Sequence, residues 1–90
     1  MTKTDLVEAI AERAELTKAD ADRALEAFLE TISKALSRGW SVQITGFGTF
    51  ERRTRKARKA RNLQTGEEIE VPETKVPAFR AGKTLKDMVK

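Results

Sequence analysis

The chain has 90 residues, 36% of them charged and 39% hydrophobic, with a formal net charge of +4. That length allows one small domain, near the size where a single core is marginal and a partner chain is expected. Cysteine and histidine are both absent, which excludes disulfides, thiolate or imidazole catalysis, and Cys- or His-ligated zinc, so no metal or cofactor is expected.

The first helix is signalled by Thr2, a capping residue, with Asp5 three positions later in the capping-box position. Leu6, Val7, Ile10 and Ala14 then fall on one side at helical spacing. Thr17 and Asp20 repeat the start signal. Ala21, Ala24, Leu25, Phe28, Leu29, Ile32, Ala35 and Leu36 step by three or four through a second helix, and Gly39 stands where a C-terminal stop belongs. Two helices joined at Leu16-Thr17 form a helical hairpin. Trp40, Val42 and Ile44 alternate with polar residues as a short half-buried strand, and Gly46-Phe47-Gly48 reads as a tight turn rather than a phosphate loop, since no third glycine or GK[ST] element follows. Thr49-Phe50-Glu51 opens a second strand.

That strand runs into Arg52-Arg53-Thr54-Arg55-Lys56-Ala57-Arg58-Lys59-Ala60-Arg61, in which seven of ten residues are basic. At strand period two, Arg53, Arg55, Lys59 and Arg61 share one face and Arg52, Lys56 and Arg58 the other. A ribbon charged on both faces has no burial role. Asn62-Leu63-Gln64-Thr65-Gly66 turns the chain, Glu67 to Val71 returns, and Pro72 interrupts the run, as suits a projection with two free edges. Closing the hairpin with Arg61 opposite Gly66 would set Lys59 against Glu68 and Ala57 against Glu70. Val76-Pro77-Ala78-Phe79 leads back to the body, and Gly82 precedes a short last helix with Leu85, Met88 and Val89 available for packing.

Charge is segregated along the chain. Residues 1–50 carry six Lys/Arg against eight Asp/Glu, whereas residues 51–90 carry twelve against six. Segregation of this kind points to a polyanionic partner. Arginine predominates in the ribbon, and it suits bidentate phosphate contact and entry into a narrow minor groove. Leu63 at the tip has the character of a wedge that unstacks a base step. The carboxylates form solvated helix faces rather than a paired acid–base site, so the chain reads as non-enzymatic. Phe28, Phe47, Phe50 and Phe79 read as core, and their number relative to the enclosed volume suggests that some fill a dimer interface.

Gly46-Phe47-Gly48-Thr49-Phe50, Arg55, Arg58, Arg61-Asn62, Gln64-Thr65-Gly66, Val76-Pro77-Ala78-Phe79 and Gly82-Lys83 occur in an order that resembles the HU/integration host factor family of small bacterial DNA-bending proteins. The resemblance covers essentially the whole chain. It implies an α+β fold: a helical hairpin, a three-stranded antiparallel sheet with a long protruding β-arm, a short C-terminal helix, and an intertwined dimer. The division it implies is a helical dimerisation base at 1–39, a sheet body at 40–51 and 76–81, the arm at 52–75 and the last helix at 82–90. Phe28, Leu29, Phe47, Phe50 and Phe79 would form the dimer core. Arg53, Arg55, Arg58, Lys59, Arg61, Asn62, Leu63, Gln64, Thr65 and Lys75 would contact DNA from the arm, and Lys3, Arg80, Lys83 and Lys86 from nearer the body.

The resemblance further implies a cytoplasmic, nucleoid-associated protein with no membrane partner. It would bind double-stranded DNA with little sequence preference, favour bent, nicked or flexible duplexes, and bend them through minor-groove arms. Alternatives are site-specific bending of the integration host factor type, a basic-arm RNA-binding module, and a heterodimer in place of a homodimer. The chain departs from the family pattern at Leu63, where a tip proline is usual, at Ala60, where glycine is usual, and at Trp40, where a polar residue is common.

Overall fold

The computed structural model describes all 90 residues. Three helices and five strands run in the order α1 (Lys3–Ala14), α2 (Lys18–Ser37), β1 (Val42–Ile44), β2 (Gly48–Arg55), β3 (Arg58–Arg61), β4 (Glu68–Val71), β5 (Thr74–Ala81) and α3 (Lys83–Met88). The chain divides into two compact units, Met1–Lys34 and Ala35–Lys90.

In the first unit, the expected caps start both helices. Asp5 N–H donates to Thr2 Oγ1 at 3.3 Å while Thr2 N–H donates to Asp5 Oδ2 at 2.9 Å, a closed capping box. Asp20 N–H donates to Thr17 Oγ1 at 3.1 Å. The two helices meet through small side chains: Val7, Ala11 and the fully buried Ala21 form the cluster, with Ile10 and Leu25 against it. Leu6, Phe28 and Leu29 remain exposed. Helix α1 ends on Glu15, held in the left-handed region at φ 56°, so that Leu16 N–H reaches Ala11 O at 2.9 Å. A residue with a Cβ is strained there, and glycine is the usual occupant.

In the second unit, Gly39 adopts the same left-handed stop at φ 81°, with Trp40 N–H donating to Ala35 O at 2.9 Å and Gly39 N–H to Leu36 O at 3.0 Å. The positive φ is what calls for glycine at this position. A Cβ on Gly39 would lie 2.7 Å from Arg52 Nη2, and the Arg52 guanidinium donates to Ser37 O at 3.2 Å. Arg52 thus satisfies a carbonyl at the negative end of the α2 dipole.

The sheet order is β1-β2-β5, antiparallel throughout, and a separate two-stranded ladder joins β3 to β4. Phe79 packs its ring 4.8 Å from Phe50 and 5.4 Å from Phe47, both tilted. A Cβ on Gly48 would lie 2.5 Å from the Phe79 ring, so the close approach of ring to backbone depends on glycine. Helix α3 is tied to the β1–β2 turn by Gly82 N–H to Phe47 O at 2.7 Å and Leu85 N–H to Gly46 O at 3.2 Å.

The hairpin closes one step later than the sequence pattern suggests. Arg61 pairs with Glu68 and Lys59 with Glu70, not with Gly66 and Glu68. Asn62 N–H donates to Glu67 O at 2.8 Å, leaving Leu63-Gln64-Thr65-Gly66 as the loop. Two local demands decide this. Gly66 takes φ 75°, which belongs in a turn, and Asn62 Oδ1 accepts from Gln64 N–H at 2.9 Å. The register changes by two residues, so every side chain keeps its expected face.

The strain at Glu15 generates an expectation about stability. Glu15→Gly should relieve about 1–2 kcal/mol of left-handed strain, offset by roughly 0.5–1 kcal/mol of glycine backbone entropy. The midpoint of urea unfolding should therefore rise. A lowered midpoint would show that the strain is smaller than glycine's backbone entropy cost.

Candidate nucleic-acid interface

The β2·β5 ladder pairs Thr49 with Arg80, Phe50 with Phe79, Glu51 with Ala78, Arg53 with Val76 and Arg55 with Thr74. Directly paired residues share a face and neighbours along a strand alternate. One face therefore carries Gln43, Thr49, Glu51, Arg53, Arg55 and Arg80. The opposite face carries Val42, Phe50 and Phe79 at its base. Adjacent arginines consequently have different duties: Arg52 shares the phenylalanine side and is held at the end of α2, whereas Arg53 shares the cationic side.

The arm continues this ladder without a shift. Asn62 and Glu67 close it, and the pairing of Arg58 with Val71 keeps the same count as that of Arg55 with Thr74. Between them lies a two-residue interruption on each strand, at 56–57 and 72–73. Hydrogen-bonded and non-hydrogen-bonded pairs alternate along an antiparallel ladder. Pro77 and Pro72 are five positions apart, so their missing N–H groups cannot both point away from the partner strand. The ladder runs through Pro77 and breaks at Pro72. Beyond the break, Lys59 and Arg61 share a face with Glu70 and Glu68, while Arg58 shares the other with Ala60, Ile69 and Val71.

The expected contact residues divide by what already holds them. Arg55, Arg58, Lys59 and Arg61 are exposed, and none of the ion pairs of the chain involves them. Arg80, Lys83 and Lys86 come together around a cleft of about 370 Å³ that Thr45, Gly46 and Thr49 also line. Lys75 lies on the phenylalanine side of its ladder, with its ammonium 2.8 Å from Thr54 Oγ1 and 3.4 Å from Glu73 Oε1. Lys3 belongs to the helical unit and is ion-paired with Glu26. At the tip, Leu63 is 98% exposed. Asn62 and Thr65 spend their side-chain oxygens on the loop itself, accepting from Gln64 N–H and Glu67 N–H. Trp40 is exposed, and the Arg38 guanidinium sits 5.4 Å from its ring centroid.

One residue of this face was not singled out from the sequence. Glu51 is the sole acidic side chain in the three-stranded sheet, and Arg53 donates to its Oε1 from Nη2 at 2.9 Å and from Nε at 3.3 Å. The Arg53 hydrogen bonds hold the carboxyl below its usual range against the desolvation of partial burial, helped by the charges of Arg80 and Arg53. The signal was present: a Glu two positions before an Arg on a strand shares its face.

No helix is long and apolar enough to cross a membrane. A family model described as Bacterial DNA-binding protein matches residues 1–90. DNA-binding protein HU-1 of Halalkalibacterium halodurans is 61% identical over 89 residues, covering 99% of each chain. DNA-binding protein HU of Staphylococcus aureus is 58% identical over 90 residues, covering both chains entirely. Among solved structures, an Anabaena HU–DNA cocrystal structure superposes with a TM-score of 0.94 at 53% identity, over 99% of this chain and 97% of that one.

Proposed function

The chain belongs to the bacterial DNA-binding protein family, and from that premise we propose that it is a histone-like architectural protein, not an enzyme, that binds double-stranded DNA with little sequence preference and bends it. The observation that carries this reading is the arm: a ladder with exposed, unpaired Arg55, Arg58, Lys59 and Arg61 and no part in a core. Cations of this kind attract the phosphate backbone whatever the sequence. The Arg80, Lys83 and Lys86 cleft supplies a second set of phosphate contacts on the body. A relative solved with DNA at 53% identity supports the choice of DNA as polyanion.

The second element of the proposal is a homodimer. The chain buries only Val7, Ala11, Ala21 and Ile32 among its hydrophobic residues, while Leu6, Phe28, Leu29, Phe47 and Phe79 stay 41–44% exposed. Covering the part of each that is still exposed adds roughly 1 kcal/mol. A second copy covers them and gives the particle two arms that embrace a duplex in its minor groove. The site of action is the nucleoid.

The third element is bending. Leu63 projects from the end of the arm with almost no protein around it, and an apolar side chain presented there can enter a base step and kink the duplex. Deformation of a duplex costs on the order of 1–10 kcal/mol, so bent, nicked or flexible DNA is the preferred ligand.

Affinity for a random-sequence duplex, measured by anisotropy over a salt series, tests the reading. With about −0.9 per phosphate neutralised, four arm cations alone give a slope of log K on log salt near −3 to −4 per protomer. A near-flat slope overturns the electrostatic reading, and equal or tighter binding to structured RNA than to gapped DNA moves it to RNA. Leu63→Ala should lower ring closure of short DNA severalfold while altering linear-duplex affinity little; undiminished closure removes the wedge. Melting midpoints should rise with protein concentration if a second copy completes the core; concentration-independent melting removes the dimer.

A further inference from the structure

The cationic sheet face contains a carboxylate that a simple DNA-binding surface has no use for. Glu51 lies on the same face of β2 as Arg53, with the small Ala78 directly across the ladder. Its side chain is 23% exposed, against 56% for Arg53. Both Arg53 donors converge on one carboxylate oxygen at 2.9 and 3.3 Å. The guanidinium is therefore turned back along its own strand instead of reaching outward, as the unpaired Arg55 two residues on is free to do.

We propose that Glu51 is a positioning residue that neutralises Arg53 on the DNA-facing sheet and so lowers by one the number of cations the body can offer to phosphate. The inference rests on the DNA-binding reading above. Its physical basis is ion stoichiometry. If Arg53 stays with Glu51 in the complex, it releases no counterion from DNA. If phosphate takes Arg53, the carboxylate is left unpaired beside a polyanion and must take up a cation from solution, which cancels the release. By either route the pair contributes about one ion fewer to the salt dependence than a free arginine does. The lowered ionisation range of the Glu51 carboxyl, caused first by the Arg53 hydrogen bonds, is consistent with a carboxylate held charged in the free protein. The consequence is a body that holds DNA less tightly than its composition suggests, leaving the arm as the main electrostatic anchor.

The experiment compares the full-length wild type, Glu51→Gln, Arg53→Gln, the double variant and Arg55→Gln for affinity to one random-sequence duplex across a salt series. Glu51→Gln keeps the side-chain shape and removes the charge. Its slope of log K on log salt should steepen by about 0.9, with severalfold tighter binding at low salt and unchanged melting. Adding Arg53→Gln should abolish that gain. Arg53→Gln alone leaves Glu51 unpaired beside the polyanion and should flatten the slope by about 0.9, as Arg55→Gln does, so that adding Glu51→Gln to it restores the wild-type slope. An unchanged slope for a folded Glu51→Gln, or a double variant no steeper than Arg53→Gln alone, overturns the proposal. A wild type that fails to bind duplex at all would instead sink the DNA-binding reading.

Discussion

The antiparallel register is the constraint on which the rest of the second unit depends. One pairing count runs from Gly48 opposite Ala81 to Asn62 opposite Glu67, across an interruption that removes two residues' pairing from each strand. Because side chains alternate with period two, a slip of one residue between β2 and β5 would put Phe50 and Phe79 on opposite faces and carry the arginines of the slipped strand to the aromatic side. Loss of aromatic burial, roughly 1.5–3 kcal/mol per ring, and desolvation of guanidinium groups both oppose that slip. The phenylalanines thus determine where the arginines point.

The same constraint sorts the cations into two kinds. In the sheet, Arg52 is engaged with a carbonyl at the end of α2, Arg53 with Glu51, and Lys75 with Thr54 and Glu73, whereas Arg80, Lys83 and Lys86 take part in none of the ion pairs. On the arm, Arg55, Arg58, Lys59 and Arg61 face only cross-strand neighbours and water. The unpaired cations therefore lie along the arm and around the Arg80, Lys83 and Lys86 cleft, and only the engaged ones have a partner to exchange. Such exchange costs little at exposed sites, where ion pairs contribute about 0–1 kcal/mol, so the engaged cations tune binding more than they block it.

Much of this was legible in the sequence. Thr2 with Asp5, Thr17 before the second helix and Gly39 after it are local signals with local causes, and each acts as expected. The arm was legible because seven basic residues in ten leave no alternative to solvent or a polyanion. The register was not, since it turns on an Asn62 side chain accepting from Gln64 N–H and on the positive φ of Gly66, features that alternation alone does not encode. Nor could alternation show that Arg52 and Arg53 differ in duty; that depends on which side of the sheet the phenylalanines take. Glu15 in the left-handed region had no signal beyond the helix's need to end there.

The central claim is that the ladder divides adjacent arginines into structural and DNA-facing sets. Side-chain Nε–Hε NMR resonances of the arginines, followed during titration with a short duplex, test it most directly. The expected result is that Arg55, Arg61 and Arg80 shift strongly and Arg53 shifts to a lesser degree, while Arg52 stays in place at the end of α2. An Arg52 resonance that moves as far as that of Arg55 would contradict the division of faces on which the functional reading stands.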